Sequence, residues 1–355
     1  MTQSVFAPFV QLHLLTFYPP SNLNRDDQGR PKTAIVGGFE RQRVSSQALK
    51  RAWRTSDVFK TALDGHLAAR TQRIGEVIYD HLINAGATAA KALEIASEIA
   101  GVFGLVKVGV KTEQLAFVSP QEREQALKIA DARLAGTADK VLPEQILLAH
   151  DTAADIAMFG RMLASNAGFN REAAVAVSHA ITTHSVTIED DYYTAVDDLK
   201  KPEEDAGAGF IGEAAFGSGV FYLYIVIDRR LLVENLGGDV NLARKTIAAL
   251  VEAAATIGPR GKVASYASFA RTSFMLAERG FAAPRTLASA FVRPVDHISP
   301  KPNDLLQTSI TALQETQNNF SKAYPEDVLN SAFMDIGKAT GTLPDMLRFC
   351  VDGLK

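Results

Sequence analysis

The chain has 355 residues, 47% hydrophobic and 22% charged, which supplies a full core and excludes a disordered chain. A formal net charge of −3 argues against a protein that is basic throughout, and a single cysteine, Cys350, excludes an intrachain disulfide, as suits a reducing cytoplasm. The apolar stretch from Val5 to Tyr18 lacks a basic n-region, contains Pro8, Gln11 and His13, and ends in Pro19-Pro20, so it reads as neither a signal peptide nor a membrane span.

Residues 9–17 (FVQLHLLTF) predict a strand bounded by prolines. Residues 18–44, dense in Pro, Asn, Asp and Gly, predict a long loop. Ser45-Ser46 is positioned to cap a helix that continues QALKRAWRTS. Residues 57–165 are mainly helical in pattern, with Ile74, Val77, Ile78 and Leu82, then Ala92, Ala96, Ile99 and Phe103, at helical spacing. Two short β-like runs, Leu105–Val110 and Gln114–Val118, interrupt them, and a further helix is expected from Asp151 through Arg161 and Met162. Residues 174–187 predict one strand, 188–217 a protruding loop or hairpin, and 220–228 (VFYLYIVID) a strong strand. A helix over 239–257, a strand around SFMLAE and a helical remainder over 303–341 complete the chain. With the two long insertions removed, the order is strand, helix, strand, strand, helix, strand, that of an RRM-like (ferredoxin-like) α+β domain. Such sheets are common RNA platforms, although no aromatic RNP motif is present and the fold hosts many functions.

Charge is unevenly spread. Between Asn24 and Arg54 lie eight basic and three acidic residues, so this segment is +5 and the rest of the chain −8. A basic patch on an acidic body suits a protein that holds a polyanion on one surface. The loop offers guanidinium and ammonium groups, and the helix start offers free backbone N–H donors. Lys50 and Arg54, four apart, share a helix face that is read as exposed, with Arg51 turned about 100° from Lys50. The adjacent Asp26 and Asp27 lack further ligands, so they are read as turn residues holding the basic loop rather than as a metal site. His179 and His184, five apart, point to opposite faces of a strand, and with His13 are read as structural. No metal and no cofactor is expected.

Several separated motifs, in this order, resemble one family. NRDD, PKTAI with GG, and R-R-SSQ-LKRA-R come first; then GRMLAS near Met162, SHAITTHSVTIEDDYYTAVDDL followed by GSGVFYLY, and ENLGGD before a helix. Together they resemble the CasC backbone family of type I-E CRISPR systems, within the Cas-seven superfamily, over residues 22 to about 257. The resemblance implies a hand-like molecule. Its RRM-like palm is built from 1–56, which carries the basic loop, from 166–187, and from 218–355 with its C-terminal helices. A helical fingers insertion spans 57–165 and a β-hairpin thumb 188–217. It implies a non-catalytic subunit of Cascade that polymerises along CRISPR RNA beside further copies of itself and other Cascade subunits. The guide is thereby presented to a target DNA strand. It carries guide-backbone binding onto Arg25, Lys32, Ser45, Gln47, Lys50 and Arg54, and more loosely onto Arg41, Arg43, Ser46 and Arg51. It places Met162 beside the RNA bases, and Tyr192, Tyr193 and Thr194 at the thumb. Family members carry a Trp-Phe pair where Tyr192-Tyr193 stands, so the wedge here is more polar; core residues ending a strand are the bland alternative for these tyrosines.

The alternative reading is an RRM-like ribonuclease that processes precursor CRISPR RNA. It requires a general base near a bent phosphate, and the seven histidines form no such constellation. Related type III backbone subunits cut RNA with a palm-loop aspartate, which is the precedent for Asp26 and Asp27.

Overall fold

The computed structural model describes residues 6–195, 210–297, 304–327 and 329–354. They form a mixed α+β fold. Strand β1 (Phe9–Ser21) is buried on both faces: Val10, Leu12 and Leu14 enter one core and Leu15 another. That double burial is why its sequence is almost continuously apolar. On the Leu15 face, His13 is fully buried, 2.9 Å from the Tyr222 hydroxyl and 3.3 Å from Glu278.

Strands β2 (Thr33–Val36) and β3 (Phe39–Val44) come next as a hairpin, where composition predicts loop. Gly37 and Gly38, with φ of +61° and +87°, are the two left-handed residues of its tight turn. Helix α1 (Ser46–Arg54) is capped by Ser45, whose hydroxyl accepts the Ala48 N–H. It buries Leu49, Ala52 and Trp53.

A second core is built from the middle of the chain. Helix α2 (Asp57–Ala62) and strand β4 (Ala69–Thr71) lead to α3 (Ile74–Asn84) and α4 (Ala89–Phe103). Strand β5 (Ala116–Val118) pairs with β4, and it precedes α5 (Pro120–Leu134) and α6 (Ala154–Phe159). Ile78, Leu82, Ile95, Ile99 and Phe103 pack together, as their spacing predicts. Of the two β-like runs only the second is a strand; 105–110 is a turn closed by a Val106–Thr112 bridge. Helix α6 stops at Phe159 instead of running through Arg161 and Met162, because Gly160 takes φ +78°.

Residues 174–187 form two short strands rather than one, β6 (Val175–Val177) and β7 (Ala180–Thr182). Between them the Ser178 hydroxyl accepts the Tyr224 N–H at 3.0 Å, replacing a ladder carbonyl. Strand β8 (Glu189–Ala195) and the first residues of β9 (Phe210–Asp228) make an antiparallel ribbon, from Glu189 opposite Phe216 to Ala195 opposite Phe210. Residues 196–209, the tip of the expected 188–217 hairpin, lie outside the described residues. Beyond the ribbon β9 runs into the main sheet. Helices α7 (Arg229–Asn235), α8 (Val240–Thr256) and α9 (Val263–Tyr266) lead to strand β10 (Phe274–Gly280). The helix α10 (Leu305–Ala323) is succeeded by strand β11 (Leu329–Asp335) and helix α11 (Leu343–Val351). Strand β11 corrects the expectation of helix over 303–341. It sits on the free edge of β10, and a sheet edge decides pairing more strongly than local propensity does.

The sheet order is β11-β10-β1-β9-β7-β3-β2, with each adjacent pair antiparallel. Helices α1 and α8 pack on one face through Leu49, Trp53, Ile247 and Leu250. The other face is closed by α10 and the preceding loop through Ile310, Leu313 and Phe291.

Candidate nucleic-acid interface

The basic segment is a braced structure rather than a slack loop. The Asp26 carboxylate accepts the N–H groups of Gln28 and Arg30 at 3.0 and 2.9 Å, a turn-forming role for this acid. Asn24 ties the turn to the hairpin and to the start of α1. Its carbonyl accepts the Lys32 N–H at 2.8 Å and its side-chain oxygen accepts the Ser45 N–H at 2.9 Å. The Arg43 N–H donates to Lys32 O at 2.8 Å, so Lys32, Arg43 and the α1 cap are fixed together. Arg43 also meets His179 Nδ1 at 3.0 Å. Burial, then the nearby Arg43 and Lys32 charges, hold the His179 pKa below its ordinary value, which keeps the ring neutral and able to accept. Arg25 is exposed beside this frame.

On α1, Gln47 and Arg51 are exposed and Ser46 is half-buried. Lys50 and Arg54 share a face as their spacing predicts, but that face is half-buried, not open. The Lys50 ammonium lies 5.2 Å from the Phe159 ring centre, and the Arg54 guanidinium 4.9 Å from that of Phe117. Arg54 Nη1 is also 3.7 Å from Asp155 Oδ2. Burial lowers both cations' pKa values. Burial pushes the Asp155 carboxyl up to about 6, against the N–H of Ala68 and the Arg54 charge, which favour its ionised form.

Met162 is 84% exposed just past the end of α6. Its base is rigid: Arg161 and Arg171 bridge each other and form buried ion pairs with Glu122 at 2.5 Å and Asp151 at 2.8 Å. Arg41 is a correction. It is fully buried, donating to Thr182 O at 3.0 Å and Phe291 O at 2.8 Å, so it pins the hairpin to the sheet and cannot reach a phosphate.

Tyr192, Tyr193 and Thr194 lie exposed on β8, with Tyr192 at 66% and Tyr193 at 44%, so the tyrosines are not core residues. As neighbours on a strand they face opposite sides of the ribbon. The Tyr193 ring covers Gly212, where a Cβ would fall 2.4 Å from its Cζ. The ribbon's base is tied to the basic loop by an Arg30–Asp190 ion pair at 2.6 Å and by Asn22, which donates to Ala215 O and Gly29 O.

His179 is engaged by Arg43. His184 Nε2 accepts the Val220 N–H and its Nδ1 donates to Ser185 O. Among the described residues no three His, Cys, Asp or Glu side chains converge as metal ligands, and no helix is long and apolar enough to cross a membrane. Phe117, Phe159 and Asp155, which pack against the α1 cations, and Asn24, which braces the loop, complete the candidate site without having been legible as site residues. The first three come from elements far from α1 in sequence, while Asn24 stands in the NRDD motif itself.

No curated protein matches the chain. Among solved structures it is similar to a chain of a "CRISPR RNA-guided surveillance complex, pre-nicking", with 28% identity and a TM-score of 0.81 over 98% of this chain and 100% of that one. A chain of a second "CRISPR RNA-guided surveillance complex" shares the fold, with 24% identity and a TM-score of 0.61 over 97% of this chain and 98% of that one. The model of the CT1975-like protein family matches residues 10–346. The chain therefore belongs to the CT1975-like family, the non-catalytic CasC backbone subunits of type I-E Cascade.

Proposed function

We propose that this chain grips the sugar-phosphate backbone of a CRISPR RNA along the face formed by the 24–32 loop, the α1 cap and the exposed side of α1. Further copies continue the same grip along the RNA in the cytoplasm, beside other Cascade subunits, leaving guide bases to pair with a target DNA strand. In this reading the sheet and its two helical layers, from 1–56, 166–187 and 218–355, are a ferredoxin-like palm. Residues 57–165 are fingers and 188–217 a thumb that reaches a neighbour's RNA. The observation that carries it is the full-length likeness to a surveillance-complex chain, combined with a basic segment whose turn, hairpin and helix cap are hydrogen-bonded into one frame. Phosphate contacts position a subunit without reading sequence, and base pairing then supplies the specificity.

The test is charge removal without burial of a new charge. Arg54→Glu is unsuitable, because it would set a carboxylate against buried Asp155. Lys50→Gln with Arg51→Gln spares that pair. The double variant is expected to keep the wild-type melting temperature and to lower the salt slope of guide binding by roughly 1.4 log units per subunit, two single-strand contacts' worth. A wild-type affinity and slope would contradict the reading.

A further inference from the structure

Strands β4 and β5 pair so that Arg70 lies directly opposite Phe117. The Arg70 guanidinium carbon is 5.7 Å from the Phe117 ring centre, and that of Arg54 is 4.9 Å from the same centre. Two like charges from separate elements are thus gathered at one ring. Asp155 answers only one of them, at 3.7 Å from Arg54, and its Oδ2 and Arg54 Nη1 are both buried without a hydrogen bond. No carboxylate forms an ion pair with Arg70 among the described residues, and Arg70 is exposed. Arg51 stands near enough to act on Arg54 as well. Arg70 and Arg51 thus both crowd Arg54, and among the described residues only Arg54 of the three has a carboxylate beside it. The strand that carries the ring shared by Arg54 and Arg70 is itself fixed, since Arg161 donates to the Phe117 backbone carbonyl at 3.3 Å while paired with buried Glu122.

We propose that Arg70 and Arg54 together clasp one phosphate of the guide RNA, with Phe117 holding the guanidiniums in place. Laid on an aromatic face, exposed Arg70 keeps its N–H edge free for phosphate oxygens two at a time, while Arg54, whose Nη1 is buried, is left with Nε and Nη2 for the same phosphate. The guide-contacting surface then extends beyond the basic 24–54 segment onto β4, within the helical insertion. This rests on the reading of α1 as the guide face. The guide is favoured over the target strand because Arg70 shares its ring with an α1 residue.

The experiment measures binding of a guide-length single-stranded RNA from about 50 to about 300 mM salt, for Arg70→Gln, Arg70→Lys and the Lys50→Gln, Arg51→Gln double variant. Arg70→Gln is expected to lower the slope by roughly 0.7 log units per subunit and the affinity about tenfold, with the melting temperature unchanged. Arg70→Lys is expected to restore the slope and only part of the affinity, because an ammonium lacks the planar fork. Wild-type behaviour of Arg70→Gln beside a weakened double variant overturns this inference alone. Wild-type behaviour of both overturns the guide-face reading itself. A loss confined to target-DNA binding, with guide affinity intact, also overturns the inference and moves Arg70 to the target strand.

Discussion

Facing Arg54 from inside α6, Asp155 stays close to the α1 surface while almost fully buried, and its carboxyl is raised to about 6 from an ordinary 3.8, chiefly by burial. A raised folded-state pKa contributes stability that is fully present below pH 3.8 and is lost as pH rises through about 6. Above that pH the ionised form costs on the order of 2–3 kcal/mol. Asp155→Asn keeps an acceptor for the Ala68 N–H and removes this cost. Its stability advantage is expected to grow from near zero at about pH 4 to about 1–3 kcal/mol at about pH 7.5, read by denaturant titration at both. An advantage that does not change with pH would contradict the assignment. At this scale the sequence was only partly legible. Ser45 was readable as a cap and Lys50, Arg51 and Arg54 as neighbours on a helix, because both depend on local spacing. The burial of Arg41 was not, because it depends on the 291–292 loop folding over it. The half-burial of Lys50 and Arg54 likewise depends on rings supplied from residues 117 and 159.

The β8–β9 ribbon is the element whose role differs most from its neighbours. Seven residues of β8 are exposed, its base is clamped by Arg30 and Asn22, and its strand β9 continues without interruption into the main sheet. In the proposed function this lever is the thumb laid over RNA on an adjacent subunit. Tyr192→Ala is the cleaner probe, since Tyr193 also covers Gly212. One base–aromatic stack is worth about 1–3 kcal/mol, and the loss repeats along the filament. The expected result is unchanged monomer stability, loss of periodic guide-base accessibility in chemical probing, and a larger loss in target pairing than in guide binding. A wild-type periodic pattern with wild-type target affinity would contradict this placement. Long strands and amphipathic helices were legible because their periods are local. The β2–β3 hairpin carried a signal, Gly37-Gly38 with both φ positive, hidden by the Pro and Asp of the preceding turn. Strand β11 carried little, because its pairing depends on the free edge of β10.

For the molecule as a whole, the sheet cannot serve as the stacking platform that RRM-like sheets commonly provide. Both its faces are covered, one by α1 and α8 and the other by α10. The absence of an aromatic RNP motif in the sequence has this physical counterpart. In the proposed function RNA recognition is displaced to the braced loop and α1, which would reconcile a net charge of −3 with binding a polyanion. The most direct test is to purify the protein from its own host and to size and sequence the RNA that comes with it. The account predicts RNA of uniform length that carries CRISPR repeat and spacer sequence, protected along most of its length by successive subunits. RNA of mixed length and origin, or none, would contradict it.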